Sequence, residues 1–213
     1  MFRSISLKDA ERKVFQTAVN DGLWDIFLGC FFLMFVIAPF LSEKLGDFWS
    51  SAIFLPFWGL VYLAIRLVRK HVITPRIGSV KFGPSRNAIL MRFNIVMLIV
   101  NVLALVLGLI VASLASRVPG QATGIAFGLL LLAAFSTAAY FLGVGRLYVY
   151  GLLLGLAPPI GEWLWAMHLT SHHGYPVTFG TISGIMMLTG ATLLLRILRR
   201  YPYLNNEPNL GQG

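Results

Sequence analysis

The stretch Arg66–Arg92, RLVRKHVITPRIGSVKFGPSRNAILMR, decides the fold because it separates two long apolar runs and contains no Asp or Glu. Basic loops between membrane-spanning helices are retained on the cytoplasmic side. The pattern therefore predicts a cytoplasmic loop here, and that loop sets the direction of every other helix. Its seven basic residues are Arg66, Arg69, Lys70, Arg76, Lys81, Arg86 and Arg92.

The composition is that of a membrane protein. Hydrophobic residues make up 57% of the 213 residues and charged residues 12%, against about 25% charged in ordinary soluble domains. The formal charge of +9 does not indicate a nucleic-acid partner, because the basic residues lie at the ends of apolar runs, as membrane anchors do. The single cysteine, Cys30, excludes an internal disulfide.

Six apolar runs predict an all-α bundle of six transmembrane helices. Each run is close to the roughly 20 residues that a bilayer span needs. The fourth and fifth runs are divided only by Gly143-Val-Gly-Arg146, which favours a tight hairpin. The predicted spans are 23–41, 49–68, 89–114, 122–142, 147–168 and 177–198, which together form a transmembrane domain over 23–198.

Three further segments complete the predicted organisation. Residues 1–22 form an amphipathic helix that lies in the headgroup plane or packs on the bundle as a cytoplasmic lead-in. Within the basic loop 69–88, the β-branched residues of 71–82, broken by Pro75 and Gly78, predict a short extended segment. Residues 199–213 form a polar cytoplasmic tail.

The distribution of charge predicts that both termini are cytoplasmic. With six spans, 15 of the 17 Lys and Arg residues lie inside, and only Lys44 and Arg117 face outward. This asymmetry is what the positive-inside rule requires.

Two stretches resemble segments of bacterial multi-pass inner-membrane proteins. They are Asp21–Gly29, DGLWDIFLG, and Pro75–Gly83, PRIGSVKFG. The resemblance covers about the first half of the chain. It implies a location in the bacterial inner membrane and transfers no functional residue.

Glu162 is the first candidate for a functional residue, because no Asp or Glu occurs between Asp47 and Glu162. An acid inside a span costs several kcal/mol unless it is paired, protonated or hydrated. Pro158 and Pro159 precede it and predict a broken helix, which is one way to build an ion site. Pairing with Arg117 or snorkelling is the structural alternative.

Asn94 and Asn101 are seven residues apart in the third span. They fit hydrogen bonds between helices or a polar pathway. The predicted pathway residues are thus Glu162, Pro158, Pro159, Asn94 and Asn101.

Three histidines follow the fifth span and suggest a weaker hypothesis. Imidazoles beside a carboxylate suit a transition metal such as zinc. His168 and His172 would share a helical face at i, i+4, but 171–176 is also typical of a solvated loop. The predicted metal ligands are Glu162, His168, His172 and His173.

The remaining charged residues and the spaced glycines predict contacts with lipid or with other helices. Asp21 and Asp25 are placed to pair with Arg66, Arg92 or Arg146 on neighbouring helices. The basic loop predicts binding of anionic lipid headgroups through Arg66, Arg69, Lys70, Arg76, Lys81 and Arg86, although these residues would also suffice to set topology. Gly-x-x-x-Gly spacing predicts close packing, within one bundle or between protomers, at Gly124, Gly128, Gly151, Gly155, Gly180 and Gly184.

Three classes of function remain open. The first is a small transporter or channel with Glu162 near its pathway. The second is a non-catalytic scaffold or regulatory subunit that acts through helix faces and anionic lipid. The third is a membrane-embedded metal-dependent enzyme. We expect that the protein is not an enzyme and binds no cofactor, because the chain carries no nucleophile elbow, phosphate-binding loop or helical carboxylate pair.

Overall fold

A computed structural model describes residues 21–77, 84–113 and 120–201, and every regular element in that part of the chain is helical. This confirms the all-α class. The predicted amphipathic helix falls almost entirely outside these ranges, as does most of the predicted polar tail. Asp21 and Gly22 form a turn and a bend before the first helix.

Seven α-helices, one π-helical segment and one 3₁₀ turn make up the described structure. The π-helical segment is Arg69–Ile73 and the 3₁₀ turn is His172–Gly174. The α-helices are α1 (Leu23–Ala52), α2 (Phe54–Val68), α3 (Thr74–Ile77), α4 (Pro84–Ser113), α5 (Gly120–Leu142), α6 (Arg146–Ala166) and α7 (Tyr175–Arg200).

Among the described residues, five helical stretches are long and apolar enough to cross a membrane, which supports a multi-pass membrane protein. α4 is 30 residues long, but its described apolar part, Met91–Leu103, is shorter than a span. A sixth span therefore stays a prediction. The five stretches are Leu23–Gly46, Phe48–Arg76, Gly120–Leu142, Arg146–Ala166 and His172–Arg200.

Local chemistry explains where α1 starts and bends. The backbone N–H of Leu23 donates to Asp21 Oδ1 at 3.0 Å, so Asp21 caps the helix. Gly46 has φ 76°, a backbone conformation that glycine adopts without steric cost. The chain turns there, and Phe48 then begins the second apolar stretch with almost no connecting loop.

The predicted extended segment is wrong for residues 71–77, which are helical. The π segment continues α2, and Thr74 Oγ1 donates to the Arg69 carbonyl at 2.9 Å. Pro75 lies in the first turn of α3, where a missing N–H is tolerated. Continuing the preceding helix gives backbone N–H and C=O groups hydrogen-bond partners that an isolated extended segment would lack. The helix therefore forms here in spite of the β-propensity of these residues. Residues 78–83 lie outside the described part.

Four helices form the core, and two lie against it. α1 packs along α7 and α5 along α6, while α2 contacts α1 and α4 contacts α5. Phe179 of α7 stacks on Phe32 and Phe35 of α1, with ring centroids 5.9 and 4.7 Å apart. Leu154 and Met186 are also fully buried in this core.

The antiparallel helices give the bundle two chemically different ends. At one, here called the basic end, Arg69 pairs with Asp21 and Arg76 Nη1 donates to the Leu198 carbonyl at 3.1 Å. At the other, the histidine end, His172 Nε2 lies 3.2 Å from Glu43 Oε1.

Glycines allow the closest helix contacts. A Cβ on Gly128 would overlap the Gly155 carbonyl oxygen, and α1 and α7 approach similarly at Gly22 and Gly190. Of the six glycines predicted to pack, four lie where α5 meets α6: Gly124, Gly128, Gly151 and Gly155. The other two differ. A Cβ on Gly180 would make ordinary van der Waals contact with Val36, and a Cβ on Gly184 would enter open space.

Candidate functional site at the histidine end

Glu162 is a buried carboxylate whose two oxygens are both engaged. The residue is 4% exposed and lies near the end of α6. The Tyr175 hydroxyl donates to Oε1 at 2.9 Å. His173 Nδ1 lies 3.1 Å from Oε1 and 3.2 Å from Oε2. The predicted alternative partner, Arg117, lies outside the described residues.

The helix that carries Glu162 is continuous, so the predicted break at Pro158-Pro159 is wrong. α6 runs through both prolines without a non-helical residue. Because proline has no N–H, Pro159 leaves the Gly155 carbonyl without its usual i+4 donor. That oxygen lies against Gly128 of α5, where a Cβ would overlap it. The glycine therefore lets α5 lie directly on this part of α6.

The wall of α5 that faces Glu162 consists of glycine. A Cβ on Gly120 would lie 2.9 Å from Glu162 Oε2, and one on Gly124 would lie 2.9 Å from its Cγ. Larger residues at either position would displace the carboxylate. Gly120 and Gly124 therefore make room for the acid, whereas Gly128, four residues further along α5, packs on Gly155.

His173 reaches Glu162 because the chain folds back after α6. His173 has φ 56°, a strained conformation for a non-glycine residue. The turn rests on Gly161, whose carbonyl oxygen would lie 2.5 Å from a Cβ on Gly174. The imidazole lies beside the Trp165 ring at 4.4 Å between centroids, and the His173 side chain is 50% exposed. It therefore links the buried acid to the surface.

The four predicted metal ligands do not converge. His172 turns away to Glu43 and packs edge-on against Phe40 at 5.1 Å. α6 ends at Ala166, and His168 follows it with φ 57°, so the i, i+4 argument for His168 and His172 fails. Within residues 21–77, 84–113 and 120–201, no three His, Cys, Asp or Glu side chains gather into a group that could hold a metal ion.

The two predicted pathway asparagines are exposed on α4. Asn101 Nδ2 donates to the Met97 carbonyl of its own helix at 2.8 Å. Neither amide is buried beside Glu162, so the structure does not join Asn94 and Asn101 to this site.

In the part of the chain that the structure describes, the basic end holds two ion pairs, each with a buried carboxylate. Asp25 is 1% exposed, and its Oδ1 lies 2.8 Å from Nε of Arg146 at the start of α6. Arg146 was among the three predicted partners of the aspartates. Asp21 pairs instead with Arg69, which the sequence argument missed and whose guanidinium also lies 6.0 Å from the Trp24 ring centroid.

Sequence reasoning also missed Tyr175 and Glu43. Tyr175 directly follows the histidine loop and precedes Pro176, so it was the natural first residue of the last helix. A hydroxyl at that position faces the end of the preceding antiparallel helix, and this signal could have identified it.

No protein-family model, curated protein or solved structure matches this chain. The resemblance of Asp21–Gly29 and Pro75–Gly83 to bacterial inner-membrane proteins therefore stays a prediction. Over residues 21–77, 84–113 and 120–201, the fold is a helical bundle in which five apolar stretches are long enough to cross a membrane.

Proposed function

We propose that this chain is a small transporter or channel-like protein of the bacterial inner membrane, and that Glu162 binds a proton or a small cation. In this proposal α4 supplies the sixth span and both termini are cytoplasmic. The basic end then faces the cytoplasm and the histidine end faces the periplasm. The concentration of Lys and Arg at the basic end supports this orientation.

The contact between buried Glu162 and half-exposed His173 carries the proposal. A carboxylate at this depth costs several kcal/mol, partly offset by its hydrogen bonds. Imidazole exchanges protons readily near neutral pH and passes them along hydrogen bonds. The chain of contacts from His173 to Glu162 to Tyr175 therefore leads from the surface into the bundle.

An apolar layer separates the contacts of His173, Glu162 and Tyr175 from the basic end. Tyr175 meets Phe179 edge-on at 5.9 Å, and Phe179, Leu154 and Met186 are all fully buried. A proton or cation at Glu162 is thus reached from the histidine end and sealed from the other. Passage across the bundle then requires rearrangement of the core, as alternating access does.

Flux in proteoliposomes tests the proposal. The purified full chain is reconstituted with a trapped pH-sensitive dye, or with radioactive Na⁺ or K⁺, and a gradient is imposed. We expect flux above that of empty vesicles. Glu162→Gln should lose at least about tenfold of this flux, because the amide keeps hydrogen-bonding capacity and cannot take up charge. Glu43→Gln is the matched control, since Glu43 lies at the same end, contacts His172 and is exposed.

Three outcomes contradict the proposal. They are flux no greater than in empty vesicles, equal flux through the Glu162→Gln variant, or equal loss in both variants. A thermal unfolding curve for each variant separates loss of flux from loss of fold.

A self-associating scaffold is the second candidate, and the open space at Gly184 favours it. Small residues on an exposed membrane helix let a second helix approach closely. If this face joins two copies, Gly184→Leu should convert a detergent-solubilised dimer into a monomer by light scattering. A chain that is monomeric without the substitution contradicts this alternative.

A further inference from the structure

Two helices end at the basic end with the same charge pattern. α2 and its π-helical continuation carry Arg66-Leu-Val-Arg69-Lys70, and α7 ends in Arg196-Ile-Leu-Arg199-Arg200. In each, basic residues occupy positions i, i+3 and i+4, which share one side of a helix. We call these two sets the basic triplets.

A hydrogen bond joins the two chain segments that carry the triplets, through residues that are not members of either triplet. Arg76 Nη1, six residues after Lys70, donates to the carbonyl of Leu198, which precedes Arg199 on α7. This bond satisfies one of the carbonyls that a helix C-terminus leaves open. It also holds α3, which begins four residues after Lys70, against the end of α7.

Among the described residues, most of this positive charge has no acid that pairs with it. Asp21 and Asp25 are buried and are paired with Arg69 and Arg146. No Asp or Glu occurs between Asp47 and Glu162. None of the four ion pairs in the described part of the chain uses Arg66 or Lys70, or any member of the second triplet.

The triplets stand at the ends of exposed apolar helix surfaces. Leu63 and Leu67 are exposed on α2, and Leu188 and Leu195 are exposed on α7. Trp24, beneath Arg69, is also exposed, as expected of an aromatic residue at a membrane surface. A ligand that fits both features has an anionic head and apolar chains.

We propose that the two basic triplets bind the headgroup phosphate of an anionic phospholipid whose acyl chains lie along α2 and α7. Arginine donates two parallel hydrogen bonds to a phosphate, which suits the three arginines of the second triplet. Of the residues predicted from sequence to bind headgroups, Arg66, Arg69, Lys70 and Arg76 belong to this surface. Lys81 and the side chain of Arg86 lie outside the described part. The inference does not depend on transport through Glu162.

Lipid binding to the purified full chain tests the proposal. Phosphatidylglycerol, phosphatidylcholine and inorganic phosphate are each titrated against the protein in neutral detergent, and bound lipid is counted by native mass spectrometry. We expect phosphatidylglycerol to bind and phosphatidylcholine to bind at least about tenfold more weakly. Arg199→Gln should weaken phosphatidylglycerol binding roughly fivefold, which is what loss of one cation near a headgroup predicts. Lys44→Gln, an equal loss of charge at the histidine end, should leave binding unchanged.

Two further measurements keep the proposal falsifiable if a variant folds poorly. Raising the salt concentration should weaken phosphatidylglycerol binding to the unmodified chain by screening the exposed cations, and Arg199→Lys should retain binding to within about threefold. Equal binding of both lipids, full competition by inorganic phosphate, insensitivity to salt, or no effect of Arg199→Gln would each overturn the proposal.

Discussion

Glu162 and His173 are in contact although they belong to different elements, with the carboxylate near the end of α6 and the imidazole in the turn that follows it. Eleven residues separate them, which on one helix would place them on nearly the same face but far apart along the axis. They meet because the chain reverses after Ala166 and lays the turn back on Gly161. The acid and the histidine turn therefore form one structural unit.

The contact between Gly128 and Gly155 predicts a large cost for adding one methyl group. Gly128→Ala would drive a Cβ into the Gly155 carbonyl oxygen, so α5 and α6 would have to separate. We expect a loss of about 1–3 kcal/mol in the free energy of unfolding, typical of overpacking. Denaturation in mixed detergent micelles measures it. Gly59→Ala on α2 is the control, since a Cβ there enters open space. Equal stability of the two variants would refute the packing of α5 on α6.

Because Asp25 is buried and paired with Arg146, we expect loss of Arg146 alone to lower the free energy of unfolding more than loss of both charges. The Arg146 side chain is 19% exposed and that of Asp25 is 1% exposed. Arg146→Gln leaves a buried carboxylate without its cation and should cost about 2–4 kcal/mol in the free energy of unfolding. Adding Asp25→Asn removes the orphaned charge and should recover at least about half of the loss.

Arg92→Gln provides the control for this pair, because Arg92 is exposed on α4. It should change stability by less than about 0.5 kcal/mol. If Arg146→Gln were equally mild, or if Asp25→Asn made the double variant worse, the buried pair would not govern this end of the bundle.

The burial of Asp21 leads us to expect that stability depends on pH. Burial raises the pKa of this carboxyl above its ordinary value of 3.8, and the guanidinium of Arg69 acts in the opposite direction. Arg69→Gln should therefore raise this pKa further. A group whose pKa is higher in the folded state stabilises the fold below its unfolded pKa, and this contribution disappears as the pH rises through the folded pKa.

We therefore expect the Arg69→Gln variant to lose more stability than the parent over the range of pH that begins at the ordinary carboxyl pKa of 3.8 and extends upward. Melting temperatures across that range measure the difference. Asp21→Asn in the Arg69→Gln background should remove the extra loss, since the titrating group is gone. Parallel profiles for the parent and the Arg69→Gln variant would show that Arg69 does not control this carboxyl.

The all-α class was predictable from sequence because a lipid solvent allows few alternatives. Long apolar runs must satisfy their own backbone groups, and only helices do so within one segment. The region 71–77 was mispredicted because local β-propensity was weighed without the helix that precedes it. There, continuation of α2 through the π-helical segment supplied backbone partners that no ribbon could.

The candidate site was only half predictable. The isolation of Glu162 in the sequence drew attention to it, but its partners depend on how the eight-residue connection 167–174 reverses direction. Neither periodicity nor spacing predicts the positive φ of His173. The same turn sends His172 to Glu43 on α1, which separates the histidines that sequence reasoning had grouped.

The two ends of α6 are held in different ways, and this determines how the bundle can deform. Beside Glu162, backbone lies directly on backbone where Gly161 meets Gly174, and such a junction resists sliding. Beside Arg146 the link to α1 is an ion pair, which water can replace. Rearrangements that move α6 relative to α1 should therefore keep Gly161 and Gly174 in contact and separate Asp25 from Arg146.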